Sequence, residues 1–74
     1  MPIKCKNTDT LMKLITEKYP SAQVSHPSGL QTKIRFEDGL VVNVFTNGTV
    51  NFQGNSFKNP KESDINNLIE FINR

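Results

Sequence analysis

Three tripeptides ending in glycine, Pro27-Ser28-Gly29, Glu37-Asp38-Gly39 and Thr46-Asn47-Gly48, punctuate the middle of the chain, each between runs of strand-forming residues. A three-residue loop with glycine last suits a type I turn closed by a G1 bulge, because glycine enters the left-handed region without strain. Loops of that length set a register in which His26 faces Leu30, Phe36 faces Leu40 and Phe45 faces Thr49. Residues of equal parity then share one side of the meander. The even side reads Ala22, Val24, Leu30, Ile34, Phe36, Leu40, Val42, Val44, Val50 and Phe52, and is a core. The odd side reads Gln23, Ser25, Gln31, Lys33, Arg35, Val41, Asn43, Phe45, Thr49, Asn51 and Gln53, and is a polar surface carrying Val41 and Phe45. A two-residue Asn47-Gly48 turn would put Val44 on the side of Asn51 and mix the two sets, which argues against it.

Helical spacing appears on both flanks of the meander. Leu11, Leu14, Ile15 and Tyr19 recur at that period after a capping Asn7 or Thr8, with Asp9 in the first turn and Pro20 as the stop. Asn59-Pro60-Lys61-Glu62 opens a second helix with a capping Asn and Pro at the first helical position, and Ile65, Leu68, Ile69 and Ile72 form its apolar stripe. Ile3-Lys4-Cys5-Lys6 alternates apolar and basic residues and reads as a short first strand. Phe57, in the loop before the second helix, is expected to fold back onto the core. With one apolar stripe per helix and one apolar sheet face, the simplest burial stacks both helices on the even side and leaves the odd side open. The expectation is a single α+β domain over residues 1–74, with an antiparallel meander of four strands, five if the N-terminal segment joins.

At 74 residues with Cys5 as the sole cysteine, the domain is near the lower limit for one core and has no disulfide to help it; a homodimer interface is an expected supplement. The lone cysteine, the absence of a leader with a charged start and apolar middle, and the absence of a membrane-length apolar run set the expected location as the cytoplasm. A net charge of +2 spread along the chain argues against binding nucleic acid chiefly by counterion release. Nine asparagines and seven lysines point to an AT-rich coding sequence, as in a phage, a mobile element or a low-GC bacterium.

Catalytic chemistry finds little support. Cys5 and His26 are the sole candidates for a nucleophile and base, and neither an orienting partner nor an oxyanion donor accompanies them. One Cys and one His cannot furnish a structural zinc site, and the seven acids are scattered, Asp38 within a turn. Gly48 and Gly54 lie six apart, but no Lys-Ser/Thr follows Gly54, so no phosphate-binding loop is formed. No enzyme, metal or cofactor is expected.

The open face is the feature that asks for a function. Asn43, Asn51 and Gln53 are poor strand formers, yet they sit in strands beside Val41 and Phe45 and near Gln31, Lys33, Arg35 and Thr49. Amides, an aromatic ring and a few cations on a flat sheet suit nucleic-acid edges, bases and phosphates. They suit a protein partner as well, which gives the alternative of a small phage- or mobile-element-type protein that binds or inhibits a host protein through this face or an edge strand.

The stretch Val41-Val42-Asn43-Val44-Phe45-Thr46-Asn47-Gly48-Thr49-Val50-Asn51-Phe52-Gln53-Gly54 resembles the strand, Ser/Asn-Gly turn, strand and Gln-Gly or Thr-Gly ending of TATA-binding-protein-like domains, most of all the N-terminal substrate-binding domain of ribonuclease HIII. The resemblance in sequence covers about residues 33–54, and the order helix, sheet, helix extends it in outline. It implies a single repeat with a curved antiparallel sheet and two helices on one face. It also implies that Asn43, Phe45, Thr49, Asn51 and Gln53 contact duplex DNA or an RNA/DNA hybrid from the other face. The ribonuclease's catalytic domain has no counterpart here, so the resemblance carries no nuclease activity. The chain holds one repeat where the TATA-binding protein has two, and a symmetric dimer would rebuild the pair.

Overall fold

The computed structural model describes residues 3–55 and 59–74. Five strands and two helices follow in the order β1 (Ile3–Lys4), α1 (Thr8–Lys18), β2 (Gln23–Ser28), β3 (Gln31–Arg35), β4 (Leu40–Phe45), β5 (Thr49–Gly54) and α2 (Pro60–Asn73). The strands form one antiparallel sheet in the order β1-β5-β4-β3-β2, so the N-terminal segment is indeed a fifth strand, at the edge beside β5.

Two of the three glycine turns set the register as expected. Gly39 and Gly48 have φ of 94° and 95°, the left-handed region, and their N–H groups donate back to the carbonyls of Phe36 and Phe45 at 3.1 and 2.9 Å. Ile34 accordingly pairs with Val42 and Val44 with Val50. The even side from Ile34 onward is core: Ile34, Phe36, Leu40, Val42, Val44 and Val50 are buried together with Leu11 and Ile15 of α1 and Ile65 and Ile69 of α2.

The first turn differs. β2 runs on through Ser28, which pairs with Gln31, and the turn is Gly29-Leu30 rather than Pro27-Ser28-Gly29. Gly29 is not in the left-handed region. Ser25 pairs with Lys33, and an irregularity between Ser25 and Ser28 absorbs the extra residue, so His26 does not face Leu30. The cause is local: Pro27 cannot donate to a ladder, so a bulge there is cheaper than a regular strand, and the Ser28 hydroxyl accepts from the Leu30 N–H at 3.2 Å and stabilises the tighter turn. Val24 and Leu30, expected in the core, are 41 % and 69 % exposed. β2 is the outermost strand and every residue of it is exposed, beyond the apolar cluster in which the helix stripes meet the inner strands.

Both helices begin at asparagine. Asn7 Oδ1 accepts from the Thr10 N–H and Asn59 Oδ1 from the Lys61 N–H, each satisfying an N–H that has no partner within its helix. Of the two capping candidates for α1, the structure therefore selects Asn7. The position expected for Phe57 lies outside the described residues. Among the described residues, no helix is long and apolar enough to cross a membrane.

Polar junctions tie the turn regions to the helices. Asp38 Oδ1 accepts from the Leu40 N–H, while Oδ2 accepts from Asn59 Nδ2 at 3.0 Å and Lys61 Nζ at 2.9 Å. The hydrogen bond from Lys61, followed by those from Leu40 and Asn59, holds this carboxyl down at about 2, from 3.8. It is charged in both folded and unfolded chains above 3.8, so its contribution to stability is complete there and is lost as pH falls through about 2. The denaturation midpoint should drop across that window in a urea series at stepped pH, and Asp38→Asn should flatten the drop.

Tyr19 closes α1 against α2. Its ring meets Phe36 edge-on at 5.3 Å, and its hydroxyl donates to Asp64 Oδ2 at 2.9 Å. Burial first, then the hydrogen bond to Asp64 and that residue's charge, push the phenol up to about 12. Stability from this contact is full below pH 10 and is lost as pH rises through about 12. Since Tyr19 is the only tyrosine and there is no tryptophan, phenolate absorbance reads it directly. The titration midpoint should fall near 12, moving to about 10 in denaturant.

Candidate functional site

The registered strands lay the odd residues of β3, β4 and β5 out as a lattice. Arg35 lies opposite Val41 and Val41 opposite Gln53; Lys33 lies opposite Asn43 and Asn43 opposite Asn51; Gln31 lies opposite Phe45, with Thr49 across the Gly48 turn. Gln31, Lys33, Arg35, Val41, Asn43, Phe45, Thr49, Asn51 and Gln53 thus share the face away from the helices. Phe45 and Val41 are half-buried among their neighbours, whereas Arg35 and Gln53 are exposed.

Asn43, expected as a contacting residue, is 3 % exposed. No helix covers it; the carboxamides around it do. Gln31 Nε2 donates to Asn43 Oδ1 at 2.9 Å, and Asn43 Nδ2 donates to Asn51 Oδ1 at 2.9 Å and to Gln53 Oε1 at 2.8 Å. Both hydrogens of Asn43 are used within this network, which leaves it no donor to offer at the surface. The poor strand propensity of these amides is offset by this network, because a satisfied buried amide carries no desolvation penalty.

The network also orients the surface. The oxygen and nitrogen of a carboxamide occupy opposite arms of a planar fork. With their oxygens turned onto Asn43, Asn51 and Gln53 keep their amino groups on the arm away from that contact, free of the Asn43 amide. The face therefore presents hydrogen-bond donors at its centre and the Lys33 and Arg35 cations along β3.

Sequence reasoning missed a third cation. Lys4 on β1 lies opposite Thr49, and its Nζ donates to Thr49 Oγ1 at 2.9 Å, which places it at the β5 side of the same surface. None of the seven acids falls within any of the five strands. All of them sit on the helices or in the β3–β4 turn, so a mild net charge of +2 conceals a sheet that is purely basic. The signal was present as two acid-free stretches, residues 18–36 and 39–61, which contain β2 to β5.

The cysteine and histidine are engaged on separate elements. Cys5 is buried, with Sγ 3.5 Å from the Asn7 carbonyl, and His26 is exposed on β2, its Nδ1 3.2 Å from Thr32 Oγ1. Among the described residues, no group of three His, Cys, Asp or Glu side chains is placed to hold a metal ion.

No protein-family model matches this chain, and neither the curated proteins nor the solved structures contain a match to it.

Proposed function

We propose that the open face of the sheet binds nucleic acid and that the protein is a non-catalytic binding module for duplex DNA or an RNA/DNA hybrid. The observation that carries this reading is that Asn43 engages the oxygens of Asn51 and Gln53, leaving their amino groups as the donors, on a sheet that bears cations and no acid. A surface of donors and positive charge is complementary to base-edge and sugar acceptors flanked by phosphates. Lys33, Arg35 and Lys4 hold phosphates, Asn51 and Gln53 donate to acceptors in the groove, and Phe45 stacks or wedges. The likeness to a TATA-binding-protein-like repeat supports the same face, with a helix before the meander and another after it. A reduced compartment such as the cytoplasm fits the single buried thiol.

Fluorescence anisotropy at low salt with labelled duplex DNA, RNA/DNA hybrid and single strands tests the reading. At least one of these should bind, and the double substitution Lys33→Ala/Arg35→Ala should weaken binding about tenfold or more while reducing the slope of log affinity against log salt by about 2. Absence of binding to all three ligands ends this reading and leaves a protein as the partner for the face.

A further inference from the structure

The two edges of the sheet are finished differently. At β1 the Cys5 N–H points inward and donates to the Gly48 carbonyl at 2.8 Å, so the Lys4 carbonyl and Lys6 N–H point outward, where a sixth strand would pair. The Asn73 side chain occupies that place. Its Oδ1 accepts from the Lys6 N–H at 2.7 Å and its Nδ2 donates to the Lys4 carbonyl at 2.9 Å, the same pair of bonds a neighbouring strand would supply. β1 also carries a charge, Lys4.

β2, at the opposite edge, has neither protection. All six of its residues are exposed and none is Lys, Arg, Asp or Glu. Of the usual guards of an edge strand, which are charge, a cover, Pro and a bulge, β2 has only the last two, both beyond Ser25. Pro27 and the adjacent irregularity interrupt the strand toward its end, which leaves residues 23–26 as the segment able to pair.

We propose that β2 is a self-association edge, pairing antiparallel with β2 of a second copy of this chain. A two-fold axis sets identical residues near one another, so a charged strand would repel itself, and this strand has no such residue to do so. Centred on Val24 or Ser25, the pairing sets even residues opposite even ones. Val24, 41 % exposed beside the core, then lies across from Val24 or His26 of the second copy and gains cover that its own helices do not provide. With that parity the axis stands perpendicular to the sheet, both pairs of helices lie on one side, and both basic lattices face the same way on one continuous sheet. The pairing uses few residues and is accordingly a weak, concentration-dependent one.

Sedimentation velocity of the chain alone over a wide concentration series, with no nucleic acid present, tests this independently of the proposed function. The mass is expected to rise from that of a monomer toward that of a dimer, and Val24→Lys, at an already exposed position, should keep its far-ultraviolet circular dichroism yet remain monomeric. Hydrogen exchange on the unmutated chain supplies a second reading, in which amides of residues 23–26 gain protection with concentration while those around Lys6 do not. A monomer at every concentration, unaltered association in folded Val24→Lys, or concentration-dependent protection at β1 in place of β2 overturns the proposal.

Discussion

Gly54→Ala is expected to remove roughly 3–5 kcal/mol of folding stability, the largest loss among the four glycines. Gly54 has φ of 71°, where a side chain is strained, and a Cβ built there runs into the Gly39 carbonyl oxygen. That oxygen belongs to backbone and already accepts from the Asn55 N–H at 3.1 Å, so it cannot move aside without losing a bond at the end of the β4–β5 ladder. Gly39 is the matched control. Its φ is 94°, yet a Cβ would meet nothing nearer than Asn55 Cβ at 3.5 Å, so Gly39→Ala should cost about 1–2 kcal/mol, from backbone strain alone. Urea denaturation of the two variants beside the unmutated chain checks the difference, and a melting temperature lower by roughly 15 °C or more accompanies the Gly54 variant. Equal losses in both would show that the contact between the two turns is not close.

The second large effect concerns binding. Asn43→Asp changes one NH2 to an oxygen at the buried centre of the open face, and affinity for the nucleic-acid ligand should fall about 100-fold while the fold persists. A carboxylate there still accepts from Gln31 Nε2 and gains charge compensation from Lys33, its cross-strand neighbour. It cannot donate, so Asn51 and Gln53 must turn their amino groups inward to meet it. Their oxygens then face outward, and the centre of the surface changes from donors to acceptors, opposing a ligand rich in acceptors and phosphate. Anisotropy titrations with circular dichroism as the folding check make the comparison. A folded Asn43→Asp that binds as tightly as the unmutated chain would show that amide orientation is irrelevant to recognition.

Much of the architecture could be read from residue order because local and long-range signals agreed. Gly39 and Gly48 each demand a left-handed residue, and the resulting register puts Ile34, Leu40, Val42, Val44 and Val50 on one side, where apolar helix stripes meet them. Pro27-Ser28-Gly29 misled because glycine marks a turn without fixing its length; Pro27 and the Ser28 hydroxyl decided the outcome locally. The same shift left Leu30 in the turn rather than on β3, whereas Val24 misled for another reason. Parity assigns a residue to a face, but whether the face is covered there depends on how far the helices reach.

The candidate surface was legible as a set of residues and illegible as a mechanism. Alternation alone put the nine residues together. That Asn43 is enclosed by its neighbours, and that its amide holds the oxygens of Asn51 and Gln53, follows from side-chain geometry that a linear pattern does not carry. Lys4 escaped because its pairing with Thr49 joins positions far apart in the chain, and only the sheet order brings them side by side.

The Asn73 clip bears on solubility. β1 has just two residues, and without the hydrogen bonds from α2 it would fray readily. Its departure would bare the outer edge of β5 at Thr49 and Val50, the start of a run of six uncharged residues beside an equally uncharged β4. Such a strand is a template for runaway stacking into fibrils. Loss of the single carboxamide that holds β1, as in Asn73→Ala, is therefore expected to show first as precipitation on storage rather than as a change of fold.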